Sequence, residues 1–329
     1  MTITIIGGSG FIGTYLCKAL EAVGEPFYIA DKKPSELYGS RSHLLDIRDA
    51  EQIAQHIHGQ TIIHLAAEHR DNVKPSSLYR SVNVDGTRNL CRAASIRGVH
   101  SIVFTSSVAI YGFTEPGSDE DAAFDPFNEY GRTKLEAEKI LKAWVMEDPE
   151  KRSLTIVRPT VVFGPGNRGN VYNLLRQIAS RRYVTIGNGL NRKSIAYVEN
   201  VVAFLRHATK LGPGIHIFNY VDEPAMSIND LVSITKKRLF GKLSYNFKIP
   251  YALGLALGYV ADGLSVLTGR SFSLSAIRVK KFAATTHFRS SAHHLEGFQA
   301  PFELEEGLNR TIDLEFLTKT PPWPIFYTE

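Results

Sequence analysis

Tyr130 and Lys134 stand four residues apart in Tyr130-Gly131-Arg132-Thr133-Lys134, the spacing that puts two side chains on one face of a helix. A free phenol has a pKa near ~10, and an ammonium close by favours the phenolate, which can take a proton from an alcohol. Upstream, Phe104-Thr105-Ser106-Ser107-Val108-Ala109-Ile110-Tyr111-Gly112 reads as a strand running out into a serine-rich turn, with Ser107 placed to share the reacting hydroxyl. No Gly-x-Ser-x-Gly elbow surrounds Ser107, so a Ser-His-Asp hydrolase is excluded. A second set of residues offers a seat for a dinucleotide. In Gly7-Gly8-Ser9-Gly10-Phe11-Ile12-Gly13, Gly7 permits a tight turn, Gly10 a close approach to pyrophosphate, and Gly13 close packing of helix on strand. Phe11 and Ile12 then open a helix whose amino end faces the phosphates. Asp31, eighteen residues after Gly13, is suited to accept hydrogen bonds from an adenosine ribose and to repel a 2′-phosphate, which selects NAD over NADP. Lys32 and Lys33 work against that selection, being cations a 2′-phosphate would meet.

These residues need elements to carry them. Short β-branched runs at residues 2–6, 27–30, 61–65, 101–105 and 154–157 alternate with helical stretches at 12–23, 50–57, 78–97 and 130–144. That order predicts an α/β fold, a Rossmann-type doubly wound parallel sheet with right-handed crossovers. Beyond Arg158-Pro159, a helix at 199–208 and a strand at 215–220 are expected to return to the sheet. The remainder is expected to form a smaller α/β C-terminal substrate domain over the carboxyl ends of the strands. The expected division is 1–165 plus 194–220 for the dinucleotide domain and 166–193 plus 221–329 for the substrate domain.

The 329 residues, 43% hydrophobic and 22% charged, are an ordinary globular balance. Only Cys17 and Cys91 occur and the eleven histidines lack ligand spacing, so no metal site is expected, and His293-His294 is expected at the surface. Basic and aromatic residues are not interleaved, which argues against nucleic acid. The first residues lack the basic lead of a signal peptide, so a cytoplasmic location is expected. Residues 249–267 carry one charge, Asp262, with Pro250 and glycines 254, 258 and 263. Three readings stand for this stretch: a packed lid helix, an interfacial helix touching lipid or a lipid-linked substrate, and a membrane span.

The ordered set Gly7–Gly13, Asp31, Asp46-Ile47, His64-Leu65-Ala66-Ala67, Asn83, Ser107, Tyr130/Lys134 and Arg158-Pro159 resembles the extended short-chain dehydrogenase/reductase family, whose members include NAD-dependent epimerases and dehydratases. The resemblance implies Tyr130 as acid/base, Lys134 as its tuner and Ser107 as hydroxyl partner. It implies Asp46 and Ile47 at the adenine, with Leu65, Ala66, Ala67, Asn83 and Pro159 toward the nicotinamide half of NAD. Val108-Ala109 follows Ser107 where dehydratases of the family carry Asp-Glu, so elimination of water is not expected.

The chain departs from the pattern of epimerases acting on UDP-sugars: Val161 stands where they have Asn, and Lys193 where they have Arg. Both changes weaken diphosphate recognition of the UDP type. Residues 65–71, 168–173 and 278–286 instead look closely similar to a branch of bacterial epimerases that invert carbon 4 of N-acetylglucosamine carried on undecaprenyl diphosphate for O-antigen and other surface polysaccharides. That resemblance implies Glu68, His69, Arg70, Ser107, Asn170, Lys193 and Arg278 toward the substrate, with Lys280 a further cation for the diphosphate. It also implies a homodimer through residues 83–97 and 130–144, and peripheral contact with the cytoplasmic membrane face. A UDP-glucose or UDP-N-acetylglucosamine 4-epimerase, a sterol-type NAD-dependent alcohol dehydrogenase, and a silent NAD-sensing protein are the alternatives.

Overall fold

The computed structural model describes residues 2–70, 73–242, 247–268, 275–318 and 324–328. Seven strands, β1 (Ile3–Ile6), β2 (Phe27–Asp31), β3 (Ser42–Leu44), β4 (Thr61–His64), β5 (Ser101–Thr105), β6 (Ser153–Pro159) and β7 (Gly214–Tyr220), form one sheet in the order β7-β6-β5-β4-β1-β2-β3. Every pairing in it is parallel. All residues of β1, β4 and β6 are buried, as expected of central parallel strands covered on both faces.

The covering helices supply two cores. On one face α1 (Phe11–Ala22) packs with a later helix, Val198–Ala208, through Leu16, Leu20, Val201 and Leu205. On the other, α2 (Ala50–Gln55), α3 (Gly86–Ile96) and α4 (Glu129–Met146) bury Ile53, Leu90, Ala137, Leu141 and Trp144. The chain leaves β1 toward β2 on one side and reaches β4 on the other. The crevice at the carboxyl ends of β1 and β4 is thus the switch point where open α/β sheets bind ligands.

The doubly wound sheet and the returning helix and strand agree with expectation. β3 was not foreseen, because Ser42-His43-Leu44 lacks apolar alternation and sits at the sheet edge. The strand expected at 154–157 runs on to Pro159, since the polar Arg158 is itself buried. Inside the helix expected over 78–97, residues Arg80–Asp85 form a π-helical stretch, a local widening frequent at functional sites; Asn83 lies within it.

After β6 come α5 (Asn170–Ala179), α6 (Val198–Ala208), α7 (Ile228–Phe240), α8 (Tyr251–Thr268), α9 (Ala276–Ala283) and α10 (Leu304–Ile312), with three two-stranded ladders. The apolar stretch 249–267 is essentially α8. Among the described residues no helix is long and apolar enough to cross a membrane, which overturns the spanning reading. His293, expected at the surface, is half-buried and hydrogen-bonds through Nε2 to the Val221 carbonyl at 2.6 Å.

Candidate active site

The glycine-rich turn leaves β1 with Gly7 at φ +85°, and a Cβ there would lie 2.5 Å from the Ala66 nitrogen. Only glycine lets this turn pass so close beneath the Leu65-Ala66 bend, whose amides both donate to the Ile6 carbonyl. Gly10 is different: a Cβ there meets only the Gly7 carbonyl oxygen, at 3.5 Å, and otherwise projects into open space. Gly10 is also the N-cap of α1 and brings no side chain to the first-turn amides of Phe11, Ile12 and Gly13. Those amides are available for an anion, with the positive end of the helix dipole behind them. Phe11 itself is buried in the core.

At the end of β2 the Asp31 carboxylate accepts from the Ser9 amide (3.0 Å) and the Lys33 amide (3.1 Å). Burial raises its pKa above the usual carboxylate value, and those two amides pull it back. Lys32 turns across the cleft toward Glu68, with Nζ 3.8 Å from its carboxylate. The Asp46 carboxylate is occupied by Arg48 (2.9 and 3.0 Å to Nε), while Ile47 is buried against Gly86. The cradle therefore fits NAD: open phosphate amides, a carboxylate at the ribose position, and its neighbouring cation engaged elsewhere.

The other wall comes from β5 and α4. Asn128 caps α4 by accepting from the Gly131 amide at 2.8 Å, which starts the helix just before Tyr130. A Cβ on Gly131 would lie 2.5 Å from the Ala109 carbonyl, so glycine lets the helix start press against the Ser107–Ala109 turn. Tyr130 consequently hydrogen-bonds with Ser107, whose hydroxyl also accepts from the Ala109 amide at 3.1 Å. One turn on, Lys134 is buried with its ammonium 4.2 Å from the centre of the Phe104 ring. Burial pushes Lys134 down to about 7.

Tyr130 is pushed up to about 12 by burial, and the Ser107 hydroxyl opposes that shift.

Asn83 ties the two walls together. Its side chain accepts from the Glu68 amide (2.8 Å) and donates to the Glu68 carbonyl (3.0 Å) and the Thr133 hydroxyl (3.0 Å). Thr133 lies between Tyr130 and Lys134 and was not foreseen as part of the site. Thr87 then links the Asn83 carbonyl (2.6 Å) to the buried His64 ring (3.2 Å).

The expected substrate residues divide. Glu68 is buried beside exposed Arg70 (3.3 Å), and exposed His69 lies between them. Asn170 opens α5 on the surface. The Lys193 ammonium donates to the Ala284 carbonyl at 2.6 Å, and burial lowers its pKa to about 8. Arg278 lies outside the described side chains. Pro159 ends β6 and is buried.

Beneath the site lies a network that sequence reasoning missed. Arg158 makes a paired bond to Glu138 (3.0 and 2.7 Å), bonds the Tyr111 hydroxyl (2.6 Å) and reaches the Glu120 carbonyl (3.2 Å). Arg158 and Glu138 are fully buried. Glu138 sits one helical turn beyond Lys134; that spacing was its one legible signal.

Fold and site together define a dinucleotide-binding protein with a Ser–Tyr–Lys set suited to proton and hydride exchange with an alcohol. The chain belongs to the NAD-dependent epimerase/dehydratase family, whose model matches residues 3–219. It is 46% identical over 319 residues, covering 96% of this chain and 95% of the relative, to the N-acetyl-alpha-D-glucosaminyl-diphospho-ditrans,octacis-undecaprenol 4-epimerase of Escherichia coli O157:H7. Among solved structures it resembles MoeE5 in complex with UDP-glucose and NAD (25% identity, TM-score 0.73, 95% and 98% of the two chains). The UDP-glucose 4-epimerase of Thermotoga maritima shares the fold at 22% identity, with TM-score 0.74 over 95% and 98% of the chains.

The cradle makes a first prediction. Gly10→Ala is expected to leave the melting temperature of the ligand-free protein essentially unchanged, because its Cβ meets open space, yet to weaken NAD binding at least about tenfold. Calorimetric titration with NAD checks this, and unchanged affinity would remove the phosphates from that turn.

Proposed function

We propose that this protein is an NAD-dependent 4-epimerase that interconverts N-acetylglucosamine and N-acetylgalactosamine on a polyprenyl diphosphate, undecaprenyl diphosphate being the carrier. The observation that carries the reading is the 46% identity, over nearly both full lengths, to the enzyme named for that reaction. The residues support it chemically. Tyr130 takes the proton of the sugar 4-hydroxyl, and Ser107, hydrogen-bonded to it, holds that hydroxyl in line. NAD, when bound, supplies the acceptor that takes the hydride from carbon 4 and returns it. Lys134, buried one helical turn beyond Tyr130, would hold the ribose of NAD and set its ammonium beside the phenol. After the keto sugar turns over, Tyr130 gives its proton back to the 4-oxygen. One hydride and one proton leave and return, so the sugar is inverted without net oxidation.

Two features set the chain apart from the pattern of epimerases acting on UDP-sugars. Val161 presents an exposed apolar side chain, and the Lys193 ammonium is committed to Ala284. Neither supplies the amide or the forked cation that a UDP diphosphate would engage. In this reading residues 1–165 with 194–220 hold NAD, while 166–193 with 221–329 hold the sugar diphosphate, with Glu68, Arg70 and Asn170 on its side. The protein works in the cytoplasm at the inner membrane face, as a homodimer paired through α3 and α4; light scattering of the eluted protein reports that state directly.

Offering the purified enzyme the lipid-linked and the UDP-linked N-acetylglucosamine side by side tests the reading. Conversion of the lipid-linked sugar is expected to exceed that of the UDP-sugar by at least about a hundredfold in kcat/KM. Conversion of the UDP form alone would overturn it.

Lys134 makes a further prediction. Its folded pKa of about 7 lies below the ordinary 10.5, so at pH 8 the ligand-free side chain is mostly neutral. Hydroxyl acceptors that favour the ammonium raise that pKa, so NAD binding at pH 8 should take up close to about one proton per site. Titration in two buffers of different ionisation enthalpy reads this; zero uptake would contradict the assigned role.

A further inference from the structure

The helix α8 is packed the wrong way round for a globular protein. Its inward stripe is Gly254 and Gly258: a Cβ on the first would lie 2.6 Å from Ile186, and on the second 2.8 Å from Ala276. Its large apolar side chains point out instead. Leu253, Leu257, Tyr259, Val260 and Leu264 are between 45% and 59% exposed, and Phe247 and Ile277 extend the patch at 61% and 55%. A helix buried by glycine and exposed by leucine gains little from its own fold.

From this we propose that the outward face of α8, with the start of α9, is a docking surface for an anionic lipid bilayer; the inference rests on the lipid-linked reading above. Charge selects this occupant. Among the described side chains of residues 247–283 the charges are two exposed lysines, Lys248 and Lys280, and one acid, Asp262. That acid is turned inward, accepting from the Ala276 amide at 3.0 Å. Lys280 sits over the Tyr259 ring at 5.6 Å, an aromatic–cation pair of the kind that settles at headgroup level. A second copy of this chain would bring the same basic surface and repel its twin.

The surface also leads straight into the site. α9 ends at Ala283, and the next carbonyl, Ala284, holds the Lys193 ammonium. Two residues on, Thr286 pairs with the Arg192–Ser194 segment (Ser194 amide to Thr286 carbonyl 2.8 Å, Thr286 amide to Arg192 carbonyl 3.0 Å). A substrate anchored in the bilayer thus meets the site wall without leaving its lipid.

Co-sedimentation of the full-length protein, without sugar substrate, with vesicles of phosphatidylglycerol and phosphatidylethanolamine tests the proposal; pure phosphatidylcholine vesicles are the comparison. Binding to the anionic vesicles alone is expected. Leu253→Glu with Leu257→Glu should weaken it at least about a hundredfold while detergent-dispersed substrate is turned over within about twofold of the parent. Absence of binding by the parent, equal binding to both vesicles, binding unchanged by the double substitution, or loss of a dimer on that substitution would each overturn it. The detergent assay stands apart: failure there would strike the reaction, whereas failure on vesicles alone strikes only the docking surface.

Discussion

Tyr130→Phe is expected to lower epimerisation by about 10³-fold or more while NAD binding stays within about twofold, because the substitution deletes one oxygen and nothing else. The phenol is the group that reaches Ser107, and Ser107 is fixed in turn by the Ala109 amide. A hydroxyl at the sugar's 4-position needs a base there, and Ser107 alone, itself an alcohol, cannot replace it. Burial pushes Tyr130 up to about 12, which makes the free phenol a poor base at neutral pH. The charged state of Lys134 and the cationic nicotinamide are what the bound complex adds, so the loss should fall on kcat rather than on cofactor affinity. Retained activity in the phenylalanine variant would mean that another group moves the proton.

Arg158→Ala is expected to cost about 3–5 kcal/mol of stability, the penalty for leaving a buried charge without its partner. Glu138 would keep a carboxylate with no exposure, and Tyr111 and the Glu120 carbonyl would lose a donor. For a chain of this size that places the protein near the edge of its stability. Replacing both ions together, Arg158→Met with Glu138→Leu, should recover much of the loss, since no charge is then stranded. Chemical denaturation of the parent and the two variants reads this. A single variant as stable as the parent would show that the pair is solvated and not the keystone inferred here. The pair sits under the wall built by β5 and α4: Glu138 fixes α4 one turn below Lys134, and Tyr111, bonded to Asn219 at 2.8 Å, fixes the turn after Ser107.

What could be read in the sequence was what depends on local spacing. The Tyr130/Lys134 pair, the glycine turn and the Asp31 position are each set by a few neighbouring residues, and the parallel sheet follows from alternating apolar runs. What could not be read depends on residues distant in sequence. Asn83 and Thr133 are fifty residues apart and meet only in the folded chain, Asn83 lying buried within the π-helical stretch. Glu138 and Arg158 come from different elements. Lys193 looked like a free cation because nothing local shows that Ala284 will cap it. The lysine beside the phenol was legible in its spacing, while the lowering of its pKa was not, since burial is a property of the whole fold.

The most direct test of the central claim uses the lipid-linked N-acetylglucosamine carrying deuterium at carbon 4. If Tyr130 handles the proton while the hydride leaves and returns within one site, the N-acetylgalactosamine product keeps its deuterium at carbon 4, and the reaction in heavy water adds none there. Deuterium lost to solvent from that carbon would contradict the account, because the bond broken would then release a proton and not a hydride.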